Sequence, residues 1–205
     1  MNSRQKRDTV TLEILQAIEN NNDVTQRHLA GRLNVALGLA NSYLKRCVHK
    51  GLIKVTQAPA NRYLYYLTPK GFAEKSRLTA DYLSFSFDFY RRASTSCKNE
   101  FLRCEKNGWE KILLCGISEL AEIASLRAKE QNIKIVGIFD LRETVKEFLG
   151  LPVYTSMNHL PDFDVCVITN LENPSGLLEY LNSYVAREKI LVPDVLGLNT
   201  VIKTE

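Results

Sequence analysis

The chain has 205 residues, 45% hydrophobic and 24% charged, with a formal net charge of +4, which is the make-up of a folded protein of one large domain or two small ones. No apolar run approaches the length of about 18 residues that a transmembrane helix needs, and the basic start MNSRQKRDTV lacks the apolar centre of a signal peptide. Cys47, Cys97, Cys104, Cys115 and Cys166 are odd in number, without CxxC or ligand spacing to His28, His49 or His159. They read as reduced, packing thiols of a cytoplasmic protein, and neither a disulfide framework nor a metal is expected.

The net charge conceals an asymmetry. Residues 1–80 carry 13 Lys and Arg against 5 Asp and Glu, a balance of +8, whereas residues 81–205 carry 14 against 18, a balance of −4. The basic part points to a polyanion, nucleic acid first. The competing reading is a solvated basic face with no partner.

The first helix is expected over residues 9–18, where Val10, Ile14, Leu15 and Ile18 share one face and Asn20, Asn21, Asn22 and Asp23 break the pattern. A second helix over 25–33 turns Leu29, Ala30 and Leu33 inward and Gln26, Arg27 and Arg32 outward. A third, over 37–50, buries Ala40, Leu44 and Val48 and leaves Asn41, Ser42, Lys45, Arg46 and His49 off that stripe. Gly51 stops it, where a residue free to take positive φ is wanted. Residues 52–57 and 62–68 are β-rich runs forming a hairpin. Three helices closed by such a hairpin are the plan of a winged helix-turn-helix.

The phrase KGLIKV…YYLTPKGFAEK, with KGLI at residues 50–53 and LTPKG at 67–71, resembles MarR-type winged-helix regulators. LNVALGLANSYLKRCVHKGLIKV resembles in particular the regulators found with bacterial exopolysaccharide gene clusters. The likeness spans residues 8–83, with two departures: Ala36 stands where a Ser would cap the third helix, and Leu39 where a Lys would reach toward DNA. The resemblance implies that the third helix enters the major groove of double-stranded DNA. Asn41 and Ser42 would then read base edges, and Lys45 and Arg46 would neutralise phosphates, with Arg46 also able to grip a guanine. Arg62 at the wing would probe the minor groove or backbone, and Gln26, Arg27 and Arg32 would contact backbone. An ordinary solvated side chain is the alternative for each.

A long helix is expected from Pro69 to the Asn107-Gly108 stop. Leu78, Tyr82, Phe85 and Phe89 fall on one face and Leu83, Phe87 and Tyr90 on the next, so the helix must be buried on more than one side. A homodimer paired through residues 78–104 is the expectation, with Cys97, Phe101 and Cys104 extending the contact. The alternative packs the helix wholly on its own C-terminal domain.

Beyond it, the apolar runs 111–115, 134–140, 152–154, 163–169 and 189–193 alternate with helical patterns at 119–131 and 175–186. That alternation predicts a doubly wound α/β sheet of about five parallel strands. Gly116, Ser118 and Ala121 stand where a dinucleotide fingerprint has Gly, Gly and Gly or Ala, and Asp140 closes the second strand where a carboxylate would take ribose hydroxyls. Ser118 offers a hydroxyl donor, and Glu119 puts a carboxylate at the positive end of the following helix. The segment is similar to Rossmann-type domains of sugar-nucleotide-linked proteins in polysaccharide pathways, through this turn and through Gly150-Leu151-Pro152-Val153. The domain order also resembles redox-sensing repressors that bind NAD(H).

The expected fold is therefore α/β with an N-terminal winged helix: residues 1–77 the winged helix-turn-helix, 78–108 the connecting helix, 109–205 the Rossmann-like domain. The expected function is a dimeric DNA-binding transcriptional regulator whose Rossmann-like domain senses a nucleotide or nucleotide-sugar through Gly116, Ser118, Glu119 and Asp140. Two alternatives stand beside it: a nucleotide-sugar-processing enzyme, and a Rossmann-like domain that serves only as a dimerisation or protein-contact platform. Catalysis is not expected, because Tyr180 and Tyr184 lack a Lys four residues on, no nucleophile elbow occurs, and His159 stands alone beside Pro161.

Overall fold

The first helix, α1 (Ser3–Asn20), forms because Ile14, Leu15 and Ile18 recur at helical spacing, and all three are buried in the N-terminal core. In the computed structural model, residues 3–59, 62–131, 133–142 and 145–198 are described. They fall into two compact units, residues 1–87 and 88–205.

In the first unit, Thr25 caps α2 (Gln26–Arg32), its side chain accepting from the His28 amide at 3.1 Å. The turn into α3 (Leu37–His49) passes through Asn34 at φ +49°, a left-handed conformation that Asn tolerates better than most residues. Ala40, Leu44 and Cys47 form the buried stripe of α3. Val48, expected there, is only half-buried, because the helix is rotated slightly toward Cys47. Gly51 takes φ +70° as its place after the helix requires. Strands β1 (Ile53–Ala58) and β2 (Arg62–Leu67) then pair antiparallel, from Ile53 opposite Leu67 to Ala58 opposite Arg62. The hairpin is tied to the helices by the Tyr65 amide, which donates to the Asn22 carbonyl at 2.9 Å.

Thr68 opens α4 (Pro69–Lys106), its hydroxyl accepting from the Gly71 amide at 3.0 Å. This helix of 38 residues is shared between the two units. Leu78 is buried in the first core. Ala93, Cys97, Phe101 and Cys104 are fully buried in the core of the second. That corrects the expectation of a dimer contact through all of residues 78–104: the apolar face over 93–104 is covered by the chain's own sheet. Tyr82, Leu83, Phe85, Phe87 and Tyr90 remain exposed.

The second unit is a six-stranded sheet in the order β5-β6-β4-β3-β7-β8. Its strands are β3 (Lys111–Cys115), β4 (Lys134–Phe139), β5 (Glu147–Phe148), β6 (Leu151–Tyr154), β7 (Val165–Ile168) and β8 (Ile190–Leu191). All neighbours are parallel except β5, which pairs antiparallel with β6. The five parallel strands run 3-2-1-4-5 in their own order of appearance, the Rossmann order without its sixth strand. Because successive side chains alternate, Ile112 and Leu114 join α5 (Glu119–Glu130) and the end of α4 on one face. Leu113 and Cys115 join α6 (Pro174–Asn182) on the other. The chain reverses direction across the sheet between β3 and β7, and a crevice therefore opens beyond their carboxyl ends.

Candidate functional site

Two regions carry the residues singled out above, one in each unit. In the first, the stretch from residue 24 to 73 contains eight Lys and Arg and no Asp or Glu. Half of that charge is carried by side chains that α2 and α3 hold outward. Arg27, Arg32, Ser42, Lys45 and Arg46 are all exposed. Among the described residues Arg27, Arg32, Lys45 and Arg46 have no carboxylate within ion-pair distance, so their charge is available to an incoming anion. Arg46 lies 5.8 Å from the Tyr43 ring centroid, which steadies the guanidinium over an aromatic face.

The N-terminus of α3 receives no side-chain cap from Ala36. Its first amides are thus left for solvent or for a phosphate, and the helix dipole favours the latter. Leu37 and Leu39 stand exposed beside it.

Three of the expected contact residues are placed less openly. Asn41 is half-buried and its Oδ1 is out of reach of solvent with no hydrogen-bond partner, so it faces the helix packing rather than the outer stripe. Gln26 is half-buried, its amide 3.5 Å from the Tyr65 hydroxyl. Arg62 is exposed but pairs with Asp23 at 3.2 Å, which ties the start of β2 to the loop after α1. The wing tip at residues 60 and 61 lies outside the described residues.

In the second unit, the turn after β3 is built for tightness. Gly116 takes φ +111°, and a Cβ there would lie 2.5 Å from the Asn170 amide nitrogen, so conformation and space both demand glycine. Ser118 caps α5, accepting from the Leu120 amide at 3.1 Å while its hydroxyl donates to the Thr169 carbonyl. Thr169 in turn donates to the Gly116 carbonyl at 2.6 Å. Asp140 is buried, and its two oxygens accept from the Ile117 amide at 2.9 Å and the Arg142 amide at 3.0 Å.

Gly116, Ser118 and Asp140 are thus brought together as expected, but each is engaged in holding the turn. Glu119 is exposed at the first turn of α5. Sequence reasoning missed the residues that complete this region. Asn170, Asn173 and Tyr180 line a cavity of about 280 Å³ beside Asp140 and Arg142. Asn170 and Asn173 sit directly after β7, and that position relative to the reversal of strand order is the signal that marks them.

Residues 7–54 match a family model described as a winged helix-turn-helix DNA-binding domain. No curated protein matches the chain. Among solved structures, a MarR family transcription regulator is 19% identical, covering 62% of this chain and 72% of its own, with a TM-score of 0.37. Human N-acetylserotonin methyltransferase in complex with SAM is 15% identical over 90% of this chain and 76% of its own, with a TM-score of 0.32. PigF with SAH is 13% identical over 93% and 56%, with a TM-score of 0.27. The last two likenesses correct the expectation that catalysis is absent: both structures hold SAM or SAH and one is named a methyltransferase. They fix no reaction for this chain.

Proposed function

We propose, on the premise that the chain is a DNA-binding transcriptional regulator built on an N-terminal winged helix-turn-helix, that it acts in the cytoplasm as a homodimer. It places α3 of each copy in the major groove of double-stranded DNA. The carrying observation is the outer face of α2 and α3, where four exposed cations lack carboxylate partners among the described residues.

Lys45 and Arg46 neutralise phosphates, and Ser42 is the residue on the same side nearest to base edges. Arg27 and Arg32 hold the backbone from α2. Exposed Tyr82, Leu83, Phe85, Phe87 and Tyr90 supply the contact between copies, which sets the spacing of two half-sites. The Rossmann-like unit carries the effector, and its occupancy shifts the population of DNA-binding dimers. Genes of polysaccharide synthesis are the targets offered by the likeness in sequence.

The test is binding to duplex DNA over a salt series. The double variant Lys45→Ala, Arg46→Ala should bind more weakly and lose about 1.8 from the slope of log affinity against log salt, two contacts at about 0.9 each. An unchanged slope would show that another surface meets the DNA.

A further inference from the structure

We propose that the crevice beside Asp140 binds a neutral nucleoside and rejects its phosphorylated forms. The inference rests on the effector reading above and names the chemistry of that effector.

Phosphate recognition at a strand-to-helix turn needs free amides and the positive end of a helix. Around this turn most amides are already committed. That of Gly116 donates to the Phe139 carbonyl, that of Ile117 to Asp140, and those of Leu120 and Ala121 to the Ser118 side chain. The Asp140 carboxylate sits against the Ile117 amide, Ser118 fills the second glycine's position with a side chain, and Glu119 adds another carboxylate at the start of α5. The one cation of the cavity wall, Arg142, is paired at 2.8 Å with Glu172. A phosphate would meet the Asp140 carboxylate on the cavity wall and a single guanidinium already partnered by Glu172.

The cavity itself is polar without being cationic. Asp140 is only 4% exposed and Asn170 only 7%, so both are fixed rather than solvated. Each Asp140 oxygen accepts one amide proton, which leaves each a lone pair for a hydroxyl group. Asn170 and Asn173 spend their Oδ1 atoms on backbone amides. Their Nδ2 groups, with no bond among the described residues, remain as donors for ring nitrogens or carbonyls. Tyr180, stacked on Phe139 with centroids 6.0 Å apart, offers a flat wall for a base. At about 280 Å³ the space falls just under the range of roughly 300–1,000 Å³ typical of drug-sized ligands. It suits one nucleoside and excludes a dinucleotide.

Isothermal titration of the full chain with adenosine, uridine, AMP and UMP tests this. At least one nucleoside should bind tenfold or more tightly than its 5′-monophosphate, and Glu119→Gln should narrow that gap. Asn170→Asp keeps an oxygen for both amide contacts of Oδ1 but replaces the Nδ2 donor with a second, charged oxygen, so it should weaken the nucleoside about tenfold and its monophosphate further, with an unchanged circular dichroism spectrum. A monophosphate that binds as tightly as its nucleoside overturns the assigned class while leaving the effector reading intact. Failure of all four to bind at millimolar concentration overturns the nucleoside assignment and leaves the effector reading to other ligands. Nucleoside binding with no change in DNA affinity upholds the class and removes the coupling.

Discussion

The Ile117 amide donates to Asp140 across 2.9 Å, joining residues 23 apart in sequence. The bond locks the turn after β3 to the end of β4. The carboxylate that the sequence marks for a ligand's hydroxyls is therefore first a structural acceptor, and only its remaining lone pairs face the cavity.

Asp140→Ala orphans the amides of Ile117 and Arg142, both only partly shielded from solvent. It should cost about 1 kcal/mol, the low end of the usual penalty of an unsatisfied buried donor, and Asp140→Asn should cost less because one acceptor survives. Denaturant unfolding followed by the fluorescence of Trp109, the sole tryptophan, reads this unit alone.

Gly116→Ala and Gly150→Ala separate two causes. Both glycines have positive φ, +111° and +72°, but a Cβ at Gly150 meets open space whereas one at Gly116 runs into the Asn170 backbone. The Gly150 variant should lose about 1 kcal/mol from conformation alone. The Gly116 variant should lose several times more by the same Trp109 signal. Equal losses would mean that the close approach to Asn170 is immaterial.

Leu39 is 48% exposed at the first turn of α3. Leu39→Lys should tighten DNA binding and steepen the salt slope by about 0.9, one added phosphate contact. No change would place that turn away from the backbone.

Asp164 is held below the ordinary carboxylate range by the backbone amides of Lys111 and Glu110, each donating to it at 2.9 Å. A carboxyl whose folded value is depressed stabilises fully above its unfolded value of about 3.9 and loses that contribution as pH falls through the folded one. Asp164→Asn should therefore be less stable than the parent at neutral pH. The difference should shrink toward zero in acid, as read by unfolding midpoints between pH 7 and 2.

Phe85 and Phe101 lie on one helix with opposite roles. Phe101→Ala should cost about 3–5 kcal/mol of stability, as for a fully buried aromatic, without altering oligomeric state. Phe85→Ser with Phe87→Ser removes two exposed rings and should shift sedimentation toward monomer with little loss of stability. Dimers that survive this pair of changes would move the contact elsewhere.

Most of the fold was legible because it is written in periodicity. The helices of the winged unit and the long helix from Pro69 follow a repeat of 3.6, and the parallel strands show as short apolar runs between helical patterns. What periodicity could not supply was partnership. The apolar face at Cys97, Phe101 and Cys104 looks the same whether a second copy or the chain's own sheet covers it. Strand β5, of two residues, is too short to show a pattern. At the crevice, glycine, serine and aspartate were visible as types, but which of them face a ligand depends on hydrogen bonds that only the folded backbone defines. Asn170 and Asn173 carry no motif and became visible only once the order of strands was known.

The burial of Phe101 beneath β3 has a consequence for cutting the gene. A fragment starting at residue 109, where composition places the boundary, would leave Ile112, Leu114 and Leu120 without their lid and should be recovered as insoluble aggregate. One starting at residue 88 carries its lid with it. Recombination that swapped sensor modules at the end of α4 would fail for the same reason, so the exchangeable cassette includes the back half of the helix.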